Sequence, residues 1–297
     1  MSEFAIIDAH QHCWQLANTR WPTPDLATIY RDFGPPDFLA ACAGGKVAGS
    51  VLVQSQPAAA DTDYLLAQAE AHPHILGVVG WIDLAADDAP EQIARRAAHP
   101  AFCGVRPMLQ ALPDDAWIAG PQCDAGLEAL AAHKLCFDAL ICSRHLPYIE
   151  QIAIRHPNLS IVLDHGAKPD IAAGQWHTWH QGLSRLAALP NVWCKLSGLI
   201  TEARAGADMA AVQPYAEAIL QLFGPRRVIW GSDWPVLNLA TSYDQWLAYC
   251  KQLVQLFTKD SQAAILRDNA VAFYDLKTNK NKLFEQRHDD RNVSKQV

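Results

Sequence analysis

The chain has 297 residues, of which 50% are hydrophobic and 19% are charged, and its formal net charge is −7. This composition supplies ample apolar material for a large core and excludes disorder for most of the chain. The negative charge and the lack of a basic stripe argue against a nucleic-acid partner. We therefore expect a protein that acts on a small molecule.

The first residues, "MSEFAIIDAH", lack the basic start and long apolar run of a signal peptide. No stretch approaches the roughly 18 apolar residues that a transmembrane helix needs. We expect a cytoplasmic protein without a membrane partner. The eight cysteines form no C-x-x-C pair, so we expect most of them to be buried as small apolar residues. The oligomeric state stays open.

Short runs rich in β-branched residues alternate with longer segments of helical period along almost the whole chain. Typical helical segments are "DTDYLLAQAEAH", "PEQIARRAAH" and "YDQWLAYCKQLVQLF". Eight strands that each precede a helix predict a (β/α)8 barrel of the TIM type, since an open sheet usually has fewer strands and a Gly-rich phosphate turn. The eight predicted strands are 4–9, 49–53, 75–82, 102–108, 135–141, 159–164, 191–196 and 227–231.

Two segments fall outside the regular alternation. Residues 14–36 are long for a connection between a strand and a helix, so we interpret them as a candidate lid over a binding site. After the eighth unit, "SQAAILRDNAVAFYDL" predicts one extra helix packed on the barrel. Residues 277–297 are polar and charged, which predicts a disordered, mobile tail. The barrel is therefore expected to form a single domain over residues 1–276.

Polar side chains follow nearly every predicted strand, and in a (β/α)8 barrel these positions converge at one end. A binding or catalytic site is therefore expected there. In strand order the candidates are His10 and His12; Gln54 and Gln56; Trp81 and Asp83; Arg106; Asp138 with Arg144 and His145; Asp164, His165 and Lys168; Lys195 and Ser197; and Asp233.

The two histidines in "DAHQHCW" lie two residues apart, so on an extended strand both rings point to the same side. The spacing permits a pair of metal ligands, but histidines in so short a motif more often only hydrogen-bond the backbone. His165 and Asp233 end two later strands of the same predicted barrel. Imidazole together with carboxylate favours zinc or a similar divalent ion.

Four motifs in chain order, "DAHQHCW", "LDHGAKP", "CKLSG" and "GSDWP", resemble the amidohydrolase superfamily. More narrowly, they resemble its amidohydrolase-2 group, which includes lactonases that act on sugar lactones and on 2-pyrone-4,6-dicarboxylate. The resemblance extends from Phe4 to about Leu276. It implies a carboxylic ester hydrolase in which Asp233 is the general base and His10, His12 and His165 are its partners.

Two departures from the superfamily pattern limit the expected metal content. Members with two metals carry a carbamylated lysine after strand four, where this chain has Arg106. Many members with one metal use a histidine at the end of strand five, whereas "CFDALI" has none and His145 follows several residues later. The resemblance thus implies either one divalent ion, most suitably zinc, held by His10, His12, His165 and Asp233, or a metal-independent site.

A lactonase also needs groups that hold the substrate. Arg106 or Lys195 is expected to bind substrate oxygens, and a salt bridge between loops is the alternative for both. Gln54 with Trp14, Trp81 and Trp234 is expected to form a hydrogen-bonding and aromatic wall, although tryptophans also commonly fill cores. This favours a neutral aldonolactone similar to L-fuconolactone.

Three other functions remain open at this point. A carboxylated lactone would require several arginines, and Arg20 and Arg31 in the first loop would support it. A metal-dependent decarboxylase of the same superfamily is a further alternative, although it is expected to carry the strand-five histidine that is missing here. The last alternative is a barrel that binds a ligand without converting it.

Overall fold

The computed structural model of the protein describes residues 4–277. Eight strands form one parallel sheet in sequence order, β1 to β8. The strands are β1 (Ile6–Gln11), β2 (Val47–Val53), β3 (Ile75–Gly80), β4 (Phe102–Val105), β5 (Cys136–Ala139), β6 (Ile161–Leu163), β7 (Val192–Leu196) and β8 (Val228–Trp230).

Eight helices alternate with the strands and two more follow β8 and α8. They are α1 (Pro35–Ala41), α2 (Ala59–Ala71), α3 (Ala89–Ala97), α4 (Asp124–Ala132), α5 (Leu146–Arg155), α6 (Trp176–Ala187), α7 (Met209–Phe223), α8 (Tyr243–Leu253), α9 (Lys259–Ala263) and α10 (Asn269–Phe273). Within residues 4–277, none of these helices has the length and apolarity needed to cross a membrane.

The sheet closes where the chain continues past β8. Gln11 and Trp234 form a parallel bridge. The amide of Asp233 donates to the carbonyl of His10 at 2.8 Å, and the amide of His12 donates to the carbonyl of Trp234 at 2.8 Å. These bonds join the first and last strands, so the predicted (β/α)8 barrel is confirmed. They also place His10 of β1 and His12, which follows β1, directly beside Asp233.

The first strand differs from its prediction, because it begins at Ile6 and continues to Gln11 rather than ending at Ala9. The register with β2 shifts between Asp8 and Gln11. Such an irregularity interrupts the in–out alternation of side chains. It lets Ala9 and His10 both reach the barrel interior, while the Gln11 amide donates to Ser50 Oγ on the outer face.

The core has two parts that follow the period of two along the strands. Outward side chains such as Ile6, Leu52 and Trp230 pack against the helices. Inward side chains such as Ile7, Val51 and Val162 fill the barrel, and Ala270, Phe273, Tyr274 and Leu276 pack against them. The C-terminal segment therefore contributes to the packing of the barrel interior itself.

The predicted extra helix is present, as α9, a π-helical turn (Ala264–Asp268) and α10 follow one another without a break. Of the predicted tail, only Lys277 belongs to the described residues, and residues 278–297 lie outside them. The long first loop is tied at its base, since Trp14 and Phe33 exchange two backbone hydrogen bonds of 3.0 Å. All eight cysteines are free, and seven of them are buried.

Candidate active site

Three imidazoles surround one carboxylate at the carboxyl end of the barrel. The Nε2 atoms of His12, His10 and His165 lie 3.3, 3.6 and 3.7 Å from Asp233 Oδ1. All four side chains are almost completely buried. The structure thus brings together the four residues that the sequence places in the site, although they come from the ends of three different strands, β1, β6 and β8.

The second nitrogen of each ring has its own partner, which fixes the orientation of the ring. His12 Nδ1 lies 2.8 Å from the carbonyl oxygen of Val53, and His165 Nδ1 lies 2.9 Å from Ser197 Oγ. His10 Nδ1 faces Lys195 Nζ at 3.0 Å. Because a carbonyl only accepts, His12 carries a proton on Nδ1. Its contact with Asp233 Oδ1 then needs a second proton or a cation between Nε2 and the carboxylate.

Two of the site residues have left-handed backbone conformations. The φ angle is 52° at His165 and 62° at Asp233, and the left-handed run after β6 continues through Lys168. Side chains other than glycine rarely adopt this region, and such strain clusters at functional sites. The indole Nε1 of Trp179 donates 2.7 Å to the carbonyl of Gly166. A hydrogen bond from α6 therefore stabilises the turn that orients His165.

Two glycines allow the backbone to approach the imidazoles. A Cβ at Gly198, where φ is 59°, would lie 2.4 Å from His165 Nδ1. A Cβ at Gly231 would lie 2.7 Å from the Cβ of His10. Any side chain at either position would displace a ring of the site.

An ionic layer lies beneath the imidazoles inside the barrel. Lys195 Nζ contacts Asp138 Oδ2 at 2.6 Å and Asp164 Oδ1 at 2.9 Å. Arg106 Nη1 lies 3.3 Å from Asp164 Oδ2 and 3.3 Å from His10 Nε2. Lys195, Asp138 and Asp164 are completely buried. Charges buried in this way are stable only as a mutually satisfied set, so the layer fixes the surroundings of His10.

The electrostatic environment sets the protonation of the cluster. Burial lowers the pKa of His165 to about 4 and, together with Lys195, holds the pKa of His10 well below its ordinary value. Burial alone would raise the pKa of Asp233, but the imidazoles of His165 and His12 outweigh it and lower that pKa instead. Near neutral pH, the site therefore presents an ionised carboxylate beside neutral rings of His10 and His165.

Arg106 and Gln54 form a buried pair at the barrel mouth. The Gln54 side-chain amide donates to the carbonyl of Arg106 at 2.6 Å, and Arg106 Nη2 donates to the carbonyl of Gln54. Within residues 4–277, Arg106 Nε and Gln54 Oε1 are buried without a hydrogen-bond partner. Arg106 and Lys195 both form buried ion pairs, Arg106 with Asp164 and Lys195 with Asp138 and Asp164.

The three predicted wall tryptophans have different surroundings. Trp14 is fully buried, donates its indole N–H to the carbonyl of Arg31 at 2.8 Å, and lies 6.5 Å from the ring of His12. Trp234 is 2% exposed and packs edge-on against Phe33. Trp81 at the end of β3 is the partly exposed member of the set. Trp14 and Trp234 thus belong to an aromatic layer behind the histidines.

The remaining polar candidates pair with residues outside the candidate set or face solvent. Arg144 and His145 both contact Asp115 Oδ1, at 2.8 and 3.2 Å. Lys168 forms an ion pair with Glu202. Gln56 Nε2 donates to the carbonyl of Trp21 at 2.8 Å, and Asp83 is exposed. His145 therefore does not replace the missing strand-five histidine.

The donor set fits a single divalent ion. Ligand atoms of His10, His165 and Asp233 all lie within 4.8 Å of one another. His12, the fourth predicted ligand, is outside that group, but its Nε2 faces the same carboxylate oxygen. Arg106 Nη1 lies 3.3 Å from His10 Nε2 and restricts access to that nitrogen. The Nε2 atoms of His12 and His165 are therefore more accessible to an ion. Nitrogen and carboxylate donors with oriented rings suit zinc chemistry.

Sequence reasoning missed two residues that organise the site. Asp8 Oδ1 accepts the amides of His10 and Ser232 at 3.1 and 2.9 Å. Its signal was a carboxylate inside the apolar run "AIIDAH". Tyr274 donates its hydroxyl proton to Asp138 Oδ2 at 2.7 Å. No local pattern marks Tyr274, because its position depends on the path of the C-terminal segment.

The fold and the site define an enzyme of the (β/α)8-barrel class with an imidazole–carboxylate centre at the carboxyl ends of the strands. The amidohydrolase family model matches residues 7–276. The chain belongs to the amidohydrolase family, and the predicted membership is confirmed.

Relatives with curated names agree with this assignment. The chain is 49% identical over 274 residues to an L-fucono-1,5-lactonase of Burkholderia ambifaria, covering 90% of this chain and 94% of the relative. It is 35% identical to an L-fucono-1,5-lactonase of Burkholderia multivorans, covering 80% and 85%. The predicted enzyme class, a carboxylic ester hydrolase of the lactonase type, agrees with both names.

A solved structure supports the same fold. An amidohydrolase from Burkholderia multivorans with bound zinc superposes with a TM-score of 0.87 at 32% identity. The match covers 92% of this chain and 99% of that protein.

Proposed function

We propose that this protein hydrolyses a neutral sugar lactone similar to L-fuconolactone and releases the open-chain sugar acid. The convergence of three Nε2 atoms on Asp233 Oδ1 carries this proposal. It combines a base with groups that polarise a carbonyl in one buried site. The 49% identity to an L-fucono-1,5-lactonase supports the choice of substrate.

In the proposed reaction, Asp233 accepts a proton from water as the water oxygen attacks the lactone carbonyl carbon. The bond from that carbon to the ring oxygen then breaks, and Asp233 returns the proton to the departing alkoxide. The lowered pKa of Asp233 makes the carboxylate a weaker base, and it makes the carboxylic acid a stronger proton donor to the alkoxide. His12 and His165 orient the water through their Nε2 atoms.

His10, His165 and Asp233 would hold a divalent ion, which would supply Lewis acidity and lower the pKa of water when bound. His12 is already oriented by the carbonyl of Val53 and could complete that set. The same side chains also suffice for an acid–base reaction, because Asp233 and the imidazoles provide both proton transfer and orientation.

Arg106 and Lys195 receive different roles in this proposal. Arg106 is 3% exposed and its Nε has no partner within residues 4–277, so it is the cation placed to bind a substrate oxygen. Lys195 is completely buried and contacts Asp138, Asp164 and His10. We assign Lys195 to the positioning of His10 instead of to substrate contact.

The ion pairs of the cations support a neutral substrate. Arg31, Arg144 and Lys168 all form ion pairs with carboxylates of the chain. Two substrate carboxylates would require free forked guanidinium groups, and Arg106 is already shared with Asp164. Gln54 Oε1 is a free acceptor for a sugar hydroxyl, and Trp81 offers partly exposed aromatic surface. These features favour a polyhydroxylated lactone over a dicarboxylate.

Incubation with a panel of aldonolactones, with proton release followed at constant pH, tests the proposal. L-Fucono-lactone should release acid fastest, and 2-pyrone-4,6-dicarboxylate should release it slowly or not at all. No proton release with any lactone would refute hydrolysis. Metal analysis before and after chelation, with turnover measured on the same sample, decides whether the bound ion is required.

A further inference from the structure

The C-terminal segment reaches the ionic layer of the site from inside the barrel. Tyr274 follows α10, is 4% exposed, and packs with inward side chains such as Val162. Its ring centroid lies 5.5 Å from Lys195 Nζ. The tyrosine therefore lies beside the buried cation that also contacts His10.

The hydroxyl of Tyr274 supplies half of the polar contacts of Asp138. It donates to Asp138 Oδ2 at 2.7 Å, and Lys195 Nζ contacts the same oxygen at 2.6 Å. The other oxygen, Asp138 Oδ1, is buried without a hydrogen-bond partner within residues 4–277. A carboxylate held through one oxygen depends on both of its donors for its orientation.

Lys195 connects Asp138 to the imidazole cluster. Its ammonium group lies between Asp138, Asp164 and His10, with contacts of 2.6, 2.9 and 3.0 Å. His10 Nε2 in turn lies 3.6 Å from Asp233 Oδ1. A continuous set of polar contacts therefore links Tyr274 to Asp233 through Asp138, Lys195 and His10.

We infer that Tyr274 is a positioning residue for the reaction: through Asp138 and Lys195 it fixes the ring of His10 beside Asp233. The C-terminal segment then contributes to turnover as well as to stability. The kinetic part of this inference rests on the proposed lactone hydrolysis, whereas the positioning of His10 can be measured without a substrate.

The first test compares Tyr274→Phe with Phe273→Leu. Tyr274→Phe removes one hydroxyl and keeps the ring in the barrel, so kcat should fall about tenfold while KM stays nearly constant. Phe273→Leu trims the neighbouring apolar side chain, which packs on Trp193 and Tyr274. It should lower the melting temperature and leave kcat unchanged. Equal kcat losses in both variants, or no loss in Tyr274→Phe, would overturn the inference.

The second test is independent of catalysis. Ring nitrogens of 15N-labelled histidine report the hydrogen bonding of each imidazole, and a His10→Gln variant identifies the signals of His10. Tyr274→Phe should shift the His10 signals, and Phe273→Leu should not. Unchanged His10 signals in Tyr274→Phe would refute the positioning role. A wild-type protein that opens no lactone, with the His10 shift present, would refute only the proposed function.

Discussion

The two ends of the barrel interior differ in the polarity of their side chains. At the carboxyl end, His10, His12, His165 and Asp233 are polar, buried and partly strained, with φ angles of 52° at His165 and 62° at Asp233. At the other end, apolar side chains such as Ile7, Phe273 and Leu276 fill the space between the strands. The ionic layer of Lys195, Asp138 and Asp164 separates the two regions.

This difference shows where stability and chemistry reside. Apolar burial stabilises the barrel in proportion to the area removed from water and tolerates small shifts. The polar end depends on directional hydrogen bonds and ion pairs of 2.8 to 3.7 Å. The loss of a single atom can break such a contact. We therefore expect substitutions at the polar end to change turnover, and substitutions at the apolar end to change the free energy of unfolding.

The largest effect is expected for Asp233→Asn. An amide cannot accept the proton of the attacking water, so kcat/KM for the lactone should fall about 10³-fold. Asparagine tolerates the left-handed backbone, so circular dichroism should show an intact fold. Asp83→Asn, which alters an exposed carboxylate at another strand end, is the matched control and should keep full activity. Near-normal turnover of Asp233→Asn would remove this residue from the mechanism.

Gly198→Ala should cause the next largest loss of activity. The new Cβ would lie 2.4 Å from His165 Nδ1, so the ring must leave Ser197, and kcat should fall about 10- to 100-fold. Gly206→Ala provides the control, because Gly206 has a φ of 77° with nothing within 4 Å. Both variants should lose about 1–2 kcal/mol through the left-handed backbone, but only Gly198→Ala should lose activity. Similar kcat values in the two variants would contradict the close approach.

Leu276→Ala tests the apolar end. Its side chain approaches Gly77, where a Cβ would lie 2.9 Å from Leu276 Cδ2. Truncation of a buried leucine should lower the free energy of unfolding by about 2–4 kcal/mol, as measured by urea denaturation. The kcat of the folded fraction should stay unchanged. A selective loss of kcat would show that apolar packing also controls the polar end.

The smallest effect concerns pH. Burial, together with the nearby His72, lowers the pKa of His74, which precedes β3 at the apolar end. A lowered imidazole pKa means that its stabilising contribution is complete above the unfolded value of about 6.5 and decreases as the pH falls below it. His74→Gln should therefore unfold with a weaker dependence on pH between pH 7.5 and 5.5. Thermal melts at both values check this, and parallel curves for the two proteins would contradict it.

Much of this architecture could be predicted from local patterns. The alternation of β-branched runs with helical segments gave the eight-unit barrel, and polar residues after each run marked its carboxyl end. The orientation of individual side chains was harder to predict. The inward face of Lys195 followed from its spacing with Ser197, but its complete burial between two aspartates depends on β5 and β6. Trp14 and Trp234 follow strand ends in the sequence, as binding residues do. In the structure, their side chains are buried in an aromatic layer.

The sequence by itself determined which chemical groups lie at the strand ends: one histidine on β1 and one just after it, one after β6 and an aspartate after β8. Tertiary structure alone decided how they meet, because His12 and Asp233 are 221 residues apart in the chain. The irregular β1, the left-handed turn at His165 and the hydroxyl of Tyr274 on Asp138 are likewise decided by contacts between distant segments. Local sequence periodicity carries no information on such contacts, since they form only when the barrel closes.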